Sequence, residues 1–392
     1  MSDPWLTIIG IGEDGLSGLP KASRLALNEA EVVFGGPRHL ALAGVGDRGR
    51  DWPVPFSVEP VLAMRGRRVV VLASGDPFWF GAGGALMAAL SPGDWVAHPV
   101  AGTFSLMASR LGWRLEETVC LGLHAAPFER LVPVLARGVQ ALVLVRDGAA
   151  ASALAGWLAA EGWGGSRLWV MEALGGPSER IRETTAKGIA LEGIAAPVAL
   201  AIKAEGEGLS RACGLPDDLF VSDGQMTKRP IRALALSALA PRPGELLWDI
   251  GAGSGSISVE WCLAGGRALA VEEKPARAAN VAANAAAFGL THRLTVVEGA
   301  APAALDGLAL PDAVFVGGGG DEALFATLWD RLPPGTRVVA HGVTLETEAL
   351  LAQCHRRQGG ELMRVDLARA APLGRMTGWA PSRPLVQWSV MR

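Results

Sequence analysis

Two glycine turns in this chain could bring a ligand against bare backbone, and they differ in kind. Gly10-Ile11-Gly12-Glu13-Asp14-Gly15 follows the apolar run Leu6–Ile9 and spells G-x-G-x-x-G. Asp249-Ile250-Gly251-Ala252-Gly253-Ser254-Gly255-Ser256 closes the apolar run Leu246–Ile250 and leads into a second apolar stretch. Glycines there let the chain bend tightly and approach a ligand where a side chain would collide. A dinucleotide site needs G-x-G-x-x-G opening a helix at once, with an acid at the end of the next strand. In the second turn the third glycine of that pattern would fall on Ser256. In the first, Leu16–Pro20 intervenes, Pro20 suits the first turn of a later helix, and the strand Val32–Phe34 ends in Gly35-Gly36 rather than an acid. Neither turn fits a pyrophosphate. The strand after the second turn ends at Glu272, whose two oxygens can accept both hydroxyls of a ribose, or which is a solvated strand-end acid.

The elements that must position these turns alternate. Strand candidates in the first half are Leu6–Ile9, Val69–Leu72, Ala141–Val145, Leu168–Met171 and Val198–Ile202. In the second they are Leu246–Ile250, Ala268–Val271, Leu294–Val297, Ala313–Val316 and Val338–Ala340, separated by alanine-rich helical stretches such as Ala278–Phe288. This alternation predicts α/β layers with largely parallel sheets. A chain of 392 residues exceeds one ordinary core. The aperiodic, glycine-rich segment 204–220 marks the join, giving domains 1–205 and 220–392 with a linker over 206–219.

Composition narrows the function. Half the residues are apolar and the net charge is −3, without the basic stripe of a duplex-DNA reader. No apolar run is long enough to suggest a membrane span. Four scattered cysteines, with no C-x-x-C pair, suit reduced thiols better than zinc or disulfides. The expectation is a cytoplasmic protein without metal, nucleic acid or membrane partner. Gly317-Gly318-Gly319-Gly320 closes the fourth strand of the second half, either as a mobile loop or as a side-chain-free floor for a large flat substrate.

With these residues in view, a resemblance becomes specific. The D-x-G-x-G-x-G turn is similar to that of class I methyltransferases. Gly224-Gln225-Met226-Thr227-Lys228, Ile231–Leu234, VEEKP, VEGAAP, FVGGGG and LETEALL extend the likeness to the carbon-15 methyltransferases and decarboxylases of cobalamin biosynthesis. The resemblance implies S-adenosylmethionine held by Thr227, Asp249, Gly251, Gly253, Gly255, Glu272 and Ala301. Where that family often has asparagine after the fifth strand, this chain has His341, which is either a proton-transfer residue or a packed histidine; Glu346 is a second catalytic candidate.

Ser74-Gly75-Asp76-Pro77, then Phe80-Gly81, His98–Ser105 and Met171–Gly176 with Glu179 and Arg180 resemble, in order, the class III tetrapyrrole methylases over residues 5–205. That family has a two-lobed α/β domain. The likeness implies donor contacts at Gly10, Gly12, Gly75, Asp76, Thr103, Phe104 and Ala199, and a carbon-5 methylation. Arg146 and Ala101 depart from its usual methionine and proline, and His124 is either a substrate-side residue or an ordinary loop histidine.

The whole chain thus resembles a fusion of a class III domain and a Rossmann-like class I domain. Such a fusion implies one donor site per domain, methylation of a reduced precorrin at carbons 5 and 15, and decarboxylation of the ring C acetate. A substrate with many carboxylates calls for cations. Lys228, Arg229, Arg232, Arg369, Arg375 and Arg383 are candidates as a group, although each alone reads as a surface charge. The resemblance also leads us to expect a homo-oligomer. An RNA methyltransferase and a non-enzymatic tetrapyrrole or donor sensor are the competing readings.

Overall fold

The computed structural model describes residues 4–392, and the chain falls into two compact units. Among the described residues the first comprises 4–128 and Val134–Gly208; the second comprises Glu129–Pro133 and Leu209–Arg392.

The first unit carries two sheets. One holds β1 (Leu6–Ile11), β2 (Val32–Gly35), β3 (Gly49–Asp51), β4 (Val69–Ser74) and β5 (Trp95–His98) in the order β3-β2-β4-β1-β5. All its pairings are parallel. Val69–Ala73 is buried throughout, as an apolar run without alternation requires of a parallel strand covered on both faces. The other sheet holds β6 (Val119–Gly122), β7 (Gln140–Leu144), β8 (Arg167–Glu172), β9 (Arg180–Thr185) and β10 (Val198–Lys203) in the order β6-β7-β10-β8-β9. Only β6 and β7 run parallel in it. The helix Gly148–Ala160 begins where Asp147 accepts the N–H of Ala150 and caps it.

The first glycine turn does not open a helix. A short 3-10 turn over Gly15–Gly18 follows it, and the helix runs from Lys21 to Glu29 behind Pro20. The dinucleotide reading therefore fails in space as it does in sequence.

The second unit is built on one seven-stranded sheet. Its members are β11 (Leu246–Ile250), β12 (Arg267–Glu272), β13 (Leu294–Glu298), β14 (Ala313–Val316), β15 (Arg337–Gly342), β16 (Glu361–Val365) and β19 (Leu385–Met391). The order is β13-β12-β11-β14-β15-β19-β16, with β19 antiparallel to both neighbours. β17 (Ala368–Leu373) and β18 (Met376–Pro381) form a separate hairpin. Strand order reverses between β11 and β14, so the carboxyl ends there form the crevice where open α/β sheets bind ligands. Two cores flank the sheet, one around Trp261, Val281 and Phe288 and the other around Trp248, Leu324 and Trp388.

All ten strand candidates form strands, with ends shifted by up to two residues. Missing from the sequence reading were β3, β5, β6 and β9, which are half-exposed and lack a clean period, and the whole of β16–β19. The expected linker is not free chain. Leu215 is buried in the second unit's core, and Asp217 accepts from Arg232.

Candidate active sites

In the first unit, the segments following β1, β2, β4 and β5 line a cavity of about 730 Å³. Gly12, Gly75, Asp76, Thr103, Phe104 and Ala199 all stand on its wall, as do His124 and Arg146. Gly75 has φ +55°, and a Cβ on it would lie 2.4 Å from the Gly102 Cα. Two loops thus touch backbone to backbone at this point, and only glycine permits both the contact and the dihedral. Gly10 is a correction: it does not line the cavity. A Cβ there would fall 1.8 Å from the Gly75 carbonyl oxygen, so Gly10 supports the loop from behind.

Asp76 accepts the N–H of Phe78 at 2.9 Å, which fixes the turn. Thr103 opens the helix Thr103–Leu111, and Phe104 is buried against Met107, Leu142 and Ala199. The rings of Trp79 and Phe80 lie 5.2 and 6.0 Å from that of Phe104 and add an aromatic wall. Sequence reasoning missed it, although the triplet Phe78-Trp79-Phe80 directly after the S-G-D-P turn was a usable signal. Glu172, Glu179 and Arg180 tie chain segments together instead of facing the cavity. Glu172 is buried and accepts from Arg180, Arg182 and the Ala195 N–H; Glu179 accepts from Arg110 and the Gly175 N–H.

In the second unit one strand, one turn and one helix make the cradle. Gly251, Gly253 and Gly255 have φ of +68°, +60° and +71°, and the helix Ser256–Leu263 starts immediately. A Cβ on Gly251 would stand 2.7 Å from the Gly318 carbonyl oxygen, and one on Gly255 would stand 2.7 Å from Val281 Cγ1. Glu272 is buried; one of its oxygens accepts the Gly253 N–H at 2.8 Å and the other the Lys274 N–H at 3.0 Å. A carboxylate retains further lone pairs after those two bonds.

Asp249 lies beneath the turn, fully buried. Its Oδ2 accepts from the Ser258 N–H and hydroxyl at 3.2 and 2.6 Å, while its buried Oδ1 has no partner. Burial pushes this carboxyl up to about 6, with the neighbouring Glu272 charge adding to the rise against the Ser258 bonds. A bare backbone cradle with an unmatched buried acceptor suits a cationic ligand, so the residues present fit a sulfonium donor that also carries an ammonium group.

Residues with no signature in the sequence reading hold this cradle. The Asn284 amide donates to the carbonyls of Val221 and Ser254, and its oxygen accepts the Val221 N–H. Arg277 donates to Asp223 at 2.8 Å and to Gln225 at 2.5 Å, anchoring the segment that carries Thr227. Arg277 and Asn284 are seven apart in the helix Pro275–Ala287 and therefore share a face. Polar residues at that spacing in an alanine helix were the available signal.

One expectation in the second unit, Arg232 as a substrate cation, is corrected, and the two catalytic candidates Glu346 and His341 are placed. Arg232 is fully buried. It donates to Glu260 at 2.5 Å, to Asp217 at 3.1 Å and to the Thr227 and Leu215 carbonyls, and it lies over the Phe220 ring, so its charge is spent inside the fold and none of it reaches the surface for a substrate. Glu346 sits exposed in the first turn of the helix Leu345–Gln358, where a carboxylate favours the helix N-terminus. His341 faces Gln387 across the β15–β19 pairing and bonds to it through Nε2 at 2.9 Å. Its ring meets Phe315 edge-on, and burial lowers it to about 4. These surroundings are those of a packed, neutral histidine. Lys228, Arg229, Arg369, Arg375 and Arg383 are exposed, and Arg369 and Arg375 belong to the β17–β18 hairpin. Ala301 packs beside the second core.

Among the described residues no group of three or more His, Cys, Asp or Glu side chains is placed to hold a metal ion, and no helix is long and apolar enough to cross a membrane.

Family models match each half separately: tetrapyrrole (corrin/porphyrin) methylases over residues 6–190 and a precorrin methyltransferase domain over 218–392. A protein from Sinorhizobium sp, named precorrin-6Y C(5,15)-methyltransferase [decarboxylating], is 48% identical over 98% of this chain and 96% of its own. The chain belongs to the precorrin-6Y C5,15-methyltransferase family. A Mycobacterium tuberculosis member is 40% identical over 99% of this chain and 100% of its own. A Pyrobaculum aerophilum protein named as a probable cobalt-precorrin-6B C(15)-methyltransferase (decarboxylating) is 38% identical over 44% of this chain and 92% of its own. Membership makes the chain an S-adenosylmethionine-dependent C-methyltransferase with the expected pairing of a tetrapyrrole methylase domain and a class I domain.

Proposed function

We propose that each unit binds its own S-adenosylmethionine: the first methylates carbon 5 of a reduced precorrin, and the second methylates carbon 15 and releases carbon dioxide from the ring C acetate. The observation that carries this reading is the presence of two glycine cradles of unrelated topology in one chain, one walled by dispersed loops and one built on a single strand-turn-helix. A relative named for the carbon-15 reaction alone, matching about one unit's length of this chain, supports the division.

The bound donor supplies an already activated methyl group, so the protein's work is placement, exclusion of water and management of charge. In the first unit Gly75, Asp76, Thr103, Phe104 and Ala199 hold the donor, with Gly12 beside them and the rings of Trp79 and Phe80 walling the acceptor. In the second, the Gly251–Gly255 turn and Glu272 hold it, Asp249 faces its positive charge, and Thr227 and Ala301 close the sides. Lys228, Arg229, Arg369, Arg375 and Arg383 steer the acidic macrocycle. Neither half uses a metal in this scheme, because the conjugated ring itself serves as the electron sink for decarboxylation.

Calorimetry on the full chain tests the count: two donors per chain are expected. With a carbon-13 methyl donor and reduced precorrin, spectra should show labelled methyls at carbons 5 and 15. A single donor per chain, or one labelled carbon, overturns the reading.

A further inference from the structure

The wall of the first unit's cavity carries a polar cluster outside the donor cradle described above. Glu13 follows β1, Arg38 and His39 lie in the helix Pro37–Ala43 after β2, and Ser74 ends β4. Because β2, β4 and β1 are adjacent in the sheet, their carboxyl ends bring these four residues together. Arg38 forms an ion pair with Glu13. A second Arg38 nitrogen donates to Ser74 Oγ at 3.0 Å and lies 3.0 Å from His39 Nε2. A guanidinium has only donors, so Nε2 is the accepting nitrogen and the ring proton sits on Nδ1, which is buried without a partner. The Ser74 hydroxyl, 2.8 Å from Nε2, is then the second and nearer donor sharing that nitrogen's one lone pair with Arg38. Burial, with Arg38 adding, lowers His39 to about 4, so the ring is neutral and its Nε2 lone pair carries no proton.

Methyl transfer to a ring carbon creates a need for such a group. The enamine pair of carbon 5 forms the new carbon–carbon bond, the sulfur–methyl bond breaks with its pair going to sulfur, and the ring gains one positive charge. Neutrality returns when the C–H bond at carbon 5 breaks and its pair goes back to the ring. We propose that Ser74 and His39 form the relay for that proton: Ser74 Oγ takes it from carbon 5 as the hydroxyl's own proton passes to His39 Nε2. Arg38 is a positioning residue that holds Ser74 against His39, and Glu13 balances its charge as the imidazolium forms. The imidazolium later loses its proton to water. Ser74 is exposed on the cavity wall and so is open to a ligand in that cavity.

This relay rests on assigning carbon-5 methylation to the first unit, and the test separates the two. The full chain is given reduced precorrin carrying hydrogen or deuterium at carbon 5, with a carbon-13 methyl donor. His39→Gln and Ser74→Ala should each slow the carbon-5 product about 100-fold. Deuterium should slow these variants several-fold further while leaving the parent nearly unaffected, and Ser74→Thr should restore much of the rate. Donor uptake should stay at the parent value in all three. Parent-like rates, a raised KM with unchanged kcat, or donor uptake falling in step with rate would overturn the relay and leave an anchoring or cradle role. Gly75→Val is the separate control: a carbon-5 methyl that persists in it defeats the unit assignment and the relay with it, whereas its loss there beside parent-like rates in the His39 and Ser74 variants defeats the relay alone.

Discussion

The two donor cradles differ in how far apart in sequence their parts lie. In the second unit a run of eight residues, Asp249–Ser256, supplies strand end, turn and helix start, and Glu272 closes it from the adjacent strand. In the first unit the wall is gathered from segments as distant as Gly12 and Ala199. Glycine accordingly does different work in each. At Gly251–Gly255 it supplies positive φ in consecutive turns of one loop. At Gly10 and Gly75 it removes Cβ atoms so that separate segments can touch. A local cradle fails through its own backbone, whereas a dispersed one fails where its segments meet.

The largest expected effect breaks each cradle by its own mode. Gly75→Val places atoms where the Gly102 Cα lies, and Gly255→Val sets a β-branched residue at φ +71° against Val281. Each should cut donor affinity at its own site by more than about 100-fold, so that calorimetric stoichiometry falls from two to one. Gly75→Val should remove only the carbon-5 methyl, and Gly255→Val only the carbon-15 methyl and carbon dioxide. Loss of both uptake events from one substitution would mean the cradles are not independent.

The same contrast explains what could be read from sequence. The D-x-G-x-G-x-G turn carries its chemistry locally, so its residues and the parallel sheet behind it were legible before any coordinates. G-x-G-x-x-G at Gly10 was legible only as a mismatch, because Pro20 sits where the helix should already run. The relay residues were invisible: nothing in the sequence says that Arg38, His39 and Ser74 meet, since their approach depends on strand order. Arg232 shows the opposite failure. It stands beside Lys228 and Arg229 in sequence, but the helix turns it into the core while they remain outside. The hairpin β17–β18 pairs only with itself and has no buried face to impose a pattern, so it gave no strand signal.

Arg232 and Arg375 sharpen the comparison between a cation that builds the cradle and one that serves the substrate. Arg232→Ala leaves Glu260 and Asp217 without their buried cation. It should cost about 3–5 kcal/mol of second-unit stability in denaturant titration, with precorrin affinity unchanged in the folded fraction. Arg375→Ala should do the reverse, weakening precorrin binding several-fold with no change in the unfolding midpoint. If Arg232→Ala weakened binding at constant stability, its buried network would have to open toward substrate.

A smaller effect comes from the acid beneath the local turn. The Asp249 carboxyl is raised from 3.8 to about 6, so the folded state holds a proton that the unfolded chain has released between those values. Its contribution to stability is therefore full below about pH 4 and declines as pH rises through 6. Asp249→Asn cannot ionise, and relative to the parent it should gain roughly 3 kcal/mol across that interval. The adjacent buried Trp248 is a convenient fluorescence reporter. Donor affinity at the second site should move the other way, weakened at pH 7 because an ionised Asp249 no longer faces the donor's positive charge. A variant both more stable and a tighter binder would separate Asp249 from the donor.

The smallest effect at neutral pH belongs to His341→Asn. Asparagine can still reach Gln387 with an amide, so the change should cost about 1 kcal/mol and leave decarboxylation within roughly twofold of the parent. Its pH signature has the opposite sign to that of Asp249. His341 is lowered from 6.5 to about 4, so in that interval the unfolded chain binds the extra proton and the histidine's contribution grows as pH rises. The two buried groups thus tilt stability in opposing directions over nearly the same range, and the parent's curve conceals both. Relative to the parent, His341→Asn should become progressively more stable as pH falls from 6.5 to 4, while Asp249→Asn becomes progressively more stable as pH rises from 4 to 6. Crossed difference curves of that form would locate both groups as buried residues that are neutral in the folded state between about pH 4 and 6. A tenfold loss of carbon dioxide release by His341→Asn, at parent-like stability, would instead return His341 to the reaction as a proton carrier.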